Sequence, residues 1–296
     1  MKVFKKQNFI FSKDNIPEGR ALPGEVLKFC TLDCFSGQFT SEEQLVMELD
    51  LSTANPAAGP VYIEGAEPGD VLAVDILDIK VNDVGFVCTI PELGPLSHKA
   101  VPRTRMFKVK DGYTEFNGVT WPIDPMIGVI GTAPDDKEIV CGFADDHGGN
   151  MDSRIIKKGA TVYFPVRVEG ALLQMGDLHA TMGDGELCGT GIEIGGEVIV
   201  KTRLIKNFKL NWPVTETKER WYVNSRGDNY DDSLVKGCEE LARLMENTYK
   251  WDVSDIFIYL SVQGCVEVNQ GARPVHDDMV NLRVGIPKLP HKRLIP

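Results

Sequence analysis

Two stretches concentrate the residues that can do chemistry. They are Ala144-Asp145-Asp146-His147-Gly148-Gly149-Asn150-Met151-Asp152 and Gly176-Asp177-Leu178-His179-Ala180-Thr181-Met182-Gly183-Asp184-Gly185-Glu186. Each mixes carboxylates, a histidine and several glycines. Carboxylate with imidazole can hold Zn²⁺, and a set dominated by oxygen suits Ca²⁺. Glycine lets the backbone come close to a ligand. For either stretch alone, a polar turn with solvated carboxylates is the plainer explanation. Two of them, on loops beside hairpins, favour a site. Asp177 and His179 are two apart, so an extended chain points both to one face. Such a pair serves as a metal ligand with its orienting carboxylate, or as a general base with its orienter. Asp184 and Glu186 repeat the spacing. Two close carboxylates raise one pKa, which suits a proton shuttle.

The other candidates carry less. His276 and His291 sit in a late, charged region and read as surface residues, and His98 has no informative neighbours. The stretch from Thr31 to Gln38 places Asp33 and Cys34 before Gly37. Seven cysteines are scattered without a CxxC pair, so no zinc knuckle is readable. They read as reduced thiols of a cytoplasmic protein, mostly small buried apolar groups.

These residues need elements to hold them. The chain has 296 residues, room for one or two domains of roughly 150 residues. The formal net charge of −11 argues against nucleic acid and against an anionic membrane surface. No apolar run approaches the roughly 20 residues of a membrane span, and the start lacks the apolar core of a secretory signal. Residues 1–205 read as a mainly β body, an antiparallel sandwich or barrel. Within it, Val71, Ala73, Asp75, Leu77 and Ile79 fall on one face of a strand whose two faces are both apolar enough to be buried. Residues 161–175 and 192–205 read as hairpins, the second turning at Gly195-Gly196 with positive φ. Pro68-Gly69 fits a type II turn. A helix at 41–49, capped by Ser41, interrupts the strands.

Residues 206–296 read as a smaller α+β part packed on that body. Asp231, Asp232 and Ser233 offer caps, and Leu234, Cys238, Leu241, Met245 and Thr248 follow at helical spacing. Ser254 would cap a shorter helix at 255–263, for which a buried strand is the rival reading. Strands follow at 266–268 and 281–286, and residues 287–296 read as an extended arm.

Three segments, NPAAGPVYIEGAEPGDVLAVDI, HGGNMD and above all GDLHATMGDGELCGTGIE, resemble the acetamidase/formamidase family, and HGGNMD its acetamidase-like branch. The resemblance implies hydrolysis of short aliphatic amides such as acetamide and formamide. It also implies a divalent metal and a homo-oligomer, a dimer by preference. On it, Asn150, Asp152, Asp177, His179, Asp184 and Glu186 carry the site, with Asn150 and Asp152 binding substrate. Amide hydrolysis then has two routes. In one, a metal held among Asp33, Asp145, His147 and His179 activates a water, and Glu186 moves the proton. In the other, Cys188 attacks with Glu186 or His179 as base. A non-catalytic β-sandwich binding protein stiffened by metal is the alternative of a different class.

Overall fold

The computed structural model describes residues 1–273 and 278–296. His276 lies outside the described residues. Two large sheets face each other. The first has nine strands in the order Lys2–Phe4, Val26–Thr31, Gly196–Ile205, Val71–Val81, Thr161–Pro165, Val214–Glu216, Arg220–Gly227, Val280–Pro287 and Cys265–Gln270. It is antiparallel except where Lys2–Phe4 meets Val26–Thr31. The second is built around Met126–Gly131 and Leu173–His179, and it also takes in Ala57–Ile63, Glu193–Ile194 and Val84–Thr89. The fold is thus mainly β, with helices confined to the C-terminal part. The first sheet runs unbroken past residue 205, so both halves of the chain share it.

Apolar side chains from the inner faces fill the space between the sheets. Leu27, Phe29, Leu72, Val74 and Val198 from the first meet Ile127, Ile130, Met175, Leu178 and Ile194 from the second. A second core lies on the other face of the nine-stranded sheet. There α1, Tyr230–Tyr249, lays Leu241, Leu244, Met245 and Tyr249 on Val71, Ala73, Trp221, Val223 and Val284. The strand Val71–Val81 therefore begins buried on both faces, as its apolar run suggests.

Several expectations need correcting. In Val71–Val81 the strict alternation fails at Leu77: Val200 pairs with Ile76 and Ile199 with Asp78, so Leu77 is an extra residue in a bulge. It faces solvent, and Ile79 joins the face of Leu72, Val74 and Ile76. Neither proposed hairpin forms. Thr161–Pro165 and Gly196–Ile205 lie in the first sheet, whereas Leu173–His179 and Glu193–Ile194 lie in the second. Each connection crosses between sheets, which local alternation cannot distinguish from a hairpin. Gly195 and Gly196 keep negative φ. They are needed for space, since a Cβ on Gly196 would lie 2.3 Å from the Lys80 carbonyl oxygen.

The segment 41–49 holds only a 3₁₀ turn at Val46–Glu48, with Leu45 at its N-cap. α1 starts before its proposed caps, because Asn229 accepts from Asp232 N at 2.9 Å. The second helix, α2 at Val253–Gln263, is capped by Asp252 rather than Ser254. The tail is not a free arm: Leu294 and Ile295 are fully buried in the second core. Other readings hold as made. Gly69 has φ of 96° and Asp70 N donates to Glu67 O at 3.0 Å, closing the Pro68-Gly69 turn. The strands Cys265–Gln270 and Val280–Pro287 contain the two late strands expected.

Candidate active site

Strand geometry brings a histidine and several carboxylates to one end of the inter-sheet body. Leu173–His179 carries Asp177 and His179. Met175 and Leu178 both enter the core, an odd spacing that a regular strand would not give. Asp177 has a left-handed φ of 55° and lines the cavity, and its carboxylate lies 3.6 Å from His179 Nε2, which is buried behind it. Glu193 sits directly opposite His179 in the antiparallel pair. Asp152 and Glu186 come from loops and are also left-handed, with φ of 44° and 43°. Asn55, at φ of 50°, completes a group of four strained non-glycine residues lining one cavity. Backbone strain of this kind collects where function demands a fixed geometry.

The space for the carboxylates is cut by glycine. A Cβ on Gly128 would lie 2.5 Å from Asp177 Oδ2 and 2.6 Å from Asp152 Oδ1. On Gly191 it would stand 3.0 Å from the His179 ring. Around that ring, His179 Nε2 is 3.1 Å from Glu193 Oε1, 3.6 Å from Asp177 Oδ1 and 3.7 Å from Glu186 Oε1. The backbone N–H of Gly191 donates to Glu186 Oε1 at 2.7 Å and to Glu193 Oε1 at 2.9 Å. The Gln270 side-chain amide donates to Glu186 Oε2 and, at 3.2 Å, to Asp152 Oδ2. Gln270 ends a strand of the C-terminal part, and Gly185 N donates to Asn269 O at 2.9 Å. Residues 152–193 supply the carboxylates, and the C-terminal part ties two of them together through Gln270.

Asp152, Asp177, Glu186 and Glu193 are all buried around one imidazole. Like charges out of water cannot all stay ionised unless something neutralises them. Burial pushes Asp152 and Glu193 up to about 7, and the surrounding carboxylates add to the effect. Glu186 is raised well above the usual carboxylate range by the same causes. Burial pushes the His179 imidazolium down, but Glu193 and Asp177 outweigh it and hold its pKa well above the ordinary value.

A divalent cation would do the same neutralising work, and the site fits one. Asp152 Oδ1, Asp177 Oδ1, His179 Nε2 and Glu193 Oε2 are buried with no hydrogen-bond partner. Two donor sets each lie within 4.8 Å, Asp152–His179–Glu186 and Cys34–Asp177–Glu193. His179 Nδ1 lies 3.2 Å from the Met182 thioether, a weak acceptor that leaves Nε2 for a ligand if Nδ1 keeps the proton. The cluster opens into a cavity of about 430 Å³ whose lining includes Phe35, Asn150, Leu93 and Arg226.

The residues singled out in the sequence separate in space. Asp152, Asp177, His179 and Glu186 come together, and Asn150 lines the cavity beside them. Asp33, Asp145 and His147 join neither donor set among the described residues. Asp33 Oδ1 accepts from the backbone of Phe35 and Gly37 at 3.0 Å each, which shapes its own loop. Asp145 pairs with Lys137 at 2.8 Å. His147 is wholly buried, its ring centroid 4.8 Å from that of Phe11, and burial drives its pKa down to about 3. Asp184 is exposed and pairs with Arg283 at 2.9 Å. Cys188 lines a separate apolar pocket, and its thiol donates to Thr190 O at 3.5 Å.

The model of the Acetamidase/Formamidase family matches residues 12–140 and 138–269. This chain belongs to that family. An acetamidase of Bacillus halodurans has the same fold, with a TM-score of 0.91 and 36% identity over 96% of this chain and 97% of that one. The formamidase of Methylophilus methylotrophus is 29% identical over 62% of this chain and 60% of its own length. The acetamidase of Mycolicibacterium smegmatis is 27% identical over 65% and 64%. The chain thus spans about 60% of the length of the curated relatives it matches.

Within this family member, sequence reasoning missed Glu193, Gln270, Asn55 and Cys34 as parts of the cluster. Glu193 did leave a signal, as a lone carboxylate between Ile192 and Ile194 in an apolar run. Gln270 left none, because only the sheet brings it beside Gly185.

Proposed function

We propose that this chain hydrolyses short aliphatic amides to the carboxylate and ammonia, with water as the nucleophile and a divalent cation in the buried cluster. The observation that carries the proposal is the set of four buried carboxylates and one imidazole, with unpartnered donor atoms, at the end of a cavity. The names of the relatives, formamidase and acetamidase, support the substrate class.

Cys34, Asp177 and Glu193, with His179 Nε2 beside them, would hold the cation. A donor set that mixes thiol, carboxylate and imidazole suits a Zn²⁺-like ion better than Ca²⁺. Bound there, such an ion would lower the pKa of a water and polarise a carbonyl. In the reaction a water oxygen bonds to the carbonyl carbon, the C–N bond breaks, and the leaving nitrogen takes up a proton. Asp152 and Glu186, joined through Gln270, form the proton-handling pair. Burial and mutual repulsion keep one proton on the pair near neutral pH, so it can accept from water and donate to nitrogen. The buried, unpartnered Asn150 Oδ1 lines the cavity, where it can accept from the substrate's amide N–H. Cys188 has no place in this scheme, since it faces another pocket.

The test is ammonia release from formamide, acetamide and propionamide, with and without chelator. Turnover that chelator abolishes and Zn²⁺ restores is the expected result. No ammonia from any of the three amides would leave the cluster as a binding site without catalysis.

A further inference from the structure

The cavity holds far more room than acetamide fills. At about 430 Å³ it falls in the roughly 300–1,000 Å³ range of pockets for much larger ligands. Its two ends differ in chemistry. The inner end is the carboxylate–imidazole cluster. Ile90, Leu93, Phe35 and Met279 make apolar wall. Two guanidiniums also line the cavity: exposed Arg273, whose Nη1 donates to Asp278 O at 3.0 Å, and half-buried Arg226.

Arg226 is held in place by the sheet. It sits near the end of Arg220–Gly227, paired in register with Asn281, whose side-chain amide donates to Asn150 O at 3.4 Å. Val223 and Val284 pack on α1 from one face of the sheet, so Arg226 and Asn281 belong to the opposite face, towards the site. Among the described residues no carboxylate forms an ion pair with Arg226; Asp145 is near enough to feel its charge but pairs with Lys137 at 2.8 Å. Instead its Nε points at the Met279 thioether, 2.7 Å away, and its Nη2 meets the same sulfur. Thioether sulfur is a weak acceptor for a guanidinium whose planar fork matches a carboxylate. A cationic fork with so poor a partner, facing a cavity in a chain of net charge −11, is built to take an acceptor from outside the protein.

We infer that the cavity accepts amides carrying a carboxylate at the far end of a short aliphatic chain, and that Arg226 is the residue that reads this carboxylate. The inference rests on the amide-hydrolase reading and names its substrate class. The amide group lies at the cluster, the methylenes lie along Leu93 and Ile90, and the carboxylate takes the donors now turned to Met279.

The experiment compares succinamate with 4-methylpentanamide, in which a neutral isopropyl group replaces the carboxylate at the same length. Wild-type protein should favour succinamate in kcat/KM by about tenfold or more, the usual weight of a charge-assisted, bidentate contact. In Arg226→Met, which keeps the apolar stem, the ratio should fall to about one through KM. Arg226→Lys should keep part of the preference. A wild-type ratio at or below one overturns the inference, and so does a ratio unchanged in Arg226→Met. If no amide at all releases ammonia, the hydrolase reading fails. Calorimetric binding of succinamate against 4-methylpentanamide then decides the role of Arg226 by itself.

Discussion

Glu186 and Cys188 are two residues apart and face different spaces. Glu186 lies in the cluster, with Oε1 accepting from Gly191 N and Oε2 from Gln270. Cys188 lines the neighbouring apolar pocket. Their variants should therefore diverge. Glu186→Gln keeps the shape but cannot carry a proton, and should lower kcat by about 10²–10⁴-fold. Cys188→Ala should keep most of the activity, and an almost dead alanine variant would restore the thiol nucleophile. Gly128 offers a sharper steric test. Any Cβ there enters the space of two carboxylate oxygens, at 2.5 and 2.6 Å. Gly128→Ala should abolish amide turnover and cost about 1–3 kcal/mol in urea unfolding, as overpacked interiors do. Wild-type activity in that variant would mean the two carboxylates need not sit where they are seen.

At the scale of elements, the site depends on a helix that never touches it. α1 covers the far face of the sheet that carries Arg226, and its core contacts fix Arg220–Gly227 and Val280–Pro287, the strand on which that of Gln270 pairs. Leu241 is fully buried there, so Leu241→Ala should lose about 2–5 kcal/mol by denaturant unfolding. The N-cap matters less. Asn229→Ala removes one bond to Asp232 N and should cost about 1 kcal/mol. Equal losses in the two variants would argue that packing against Val223 and Val284 is not what anchors the helix. The caps also show where local reading falls short. Asn229 and Asp252 outcompeted the serine and aspartates chosen from sequence because several adjacent polar residues could each begin the helix. Only the tertiary position of the first turn chose among them.

Across the whole molecule, the concentration of buried acid has a consequence for stability. In metal-free protein Asp152 and Glu193 titrate near 7, against roughly 4 in an unfolded chain. The folded state binds more protons than the unfolded state between these values. Their contribution is therefore fully present below about pH 4 and is lost as pH rises through about 7. His179, also raised, acts in the same sense. Chelated protein should melt several degrees lower at pH 8 than at pH 5.5. Added Zn²⁺ should recover the loss at pH 8, because the cation replaces the protons. Thermal unfolding followed by circular dichroism checks this, and a chelated protein equally stable at both values would count against a strained acidic cluster. As to compartment, no helix among the described residues is long and apolar enough to cross a membrane.

What the sequence determined by itself was the local chemistry and the broad architecture. Asp177 and His179 were legible because two strand residues apart leaves few places for their side chains to go. Short apolar runs between glycines and prolines gave a β body, and the spacing of Leu241 and Met245 gave a helix. Which distant groups meet was settled by the folded chain. Crossing between sheets looks locally like a hairpin, so residues 161–175 and 192–205 were misread, and with them the pairing that sets Glu193 against His179. His147 resembles a ligand in its loop, yet the fold encloses it beside Phe11. Gln270 and Arg226 reach the cavity through strands that join the far end of the sheet. Hydrogen bonding between strands far apart in the chain carries no local periodicity, and it alone placed the C-terminal strands against the acids of residues 152–193.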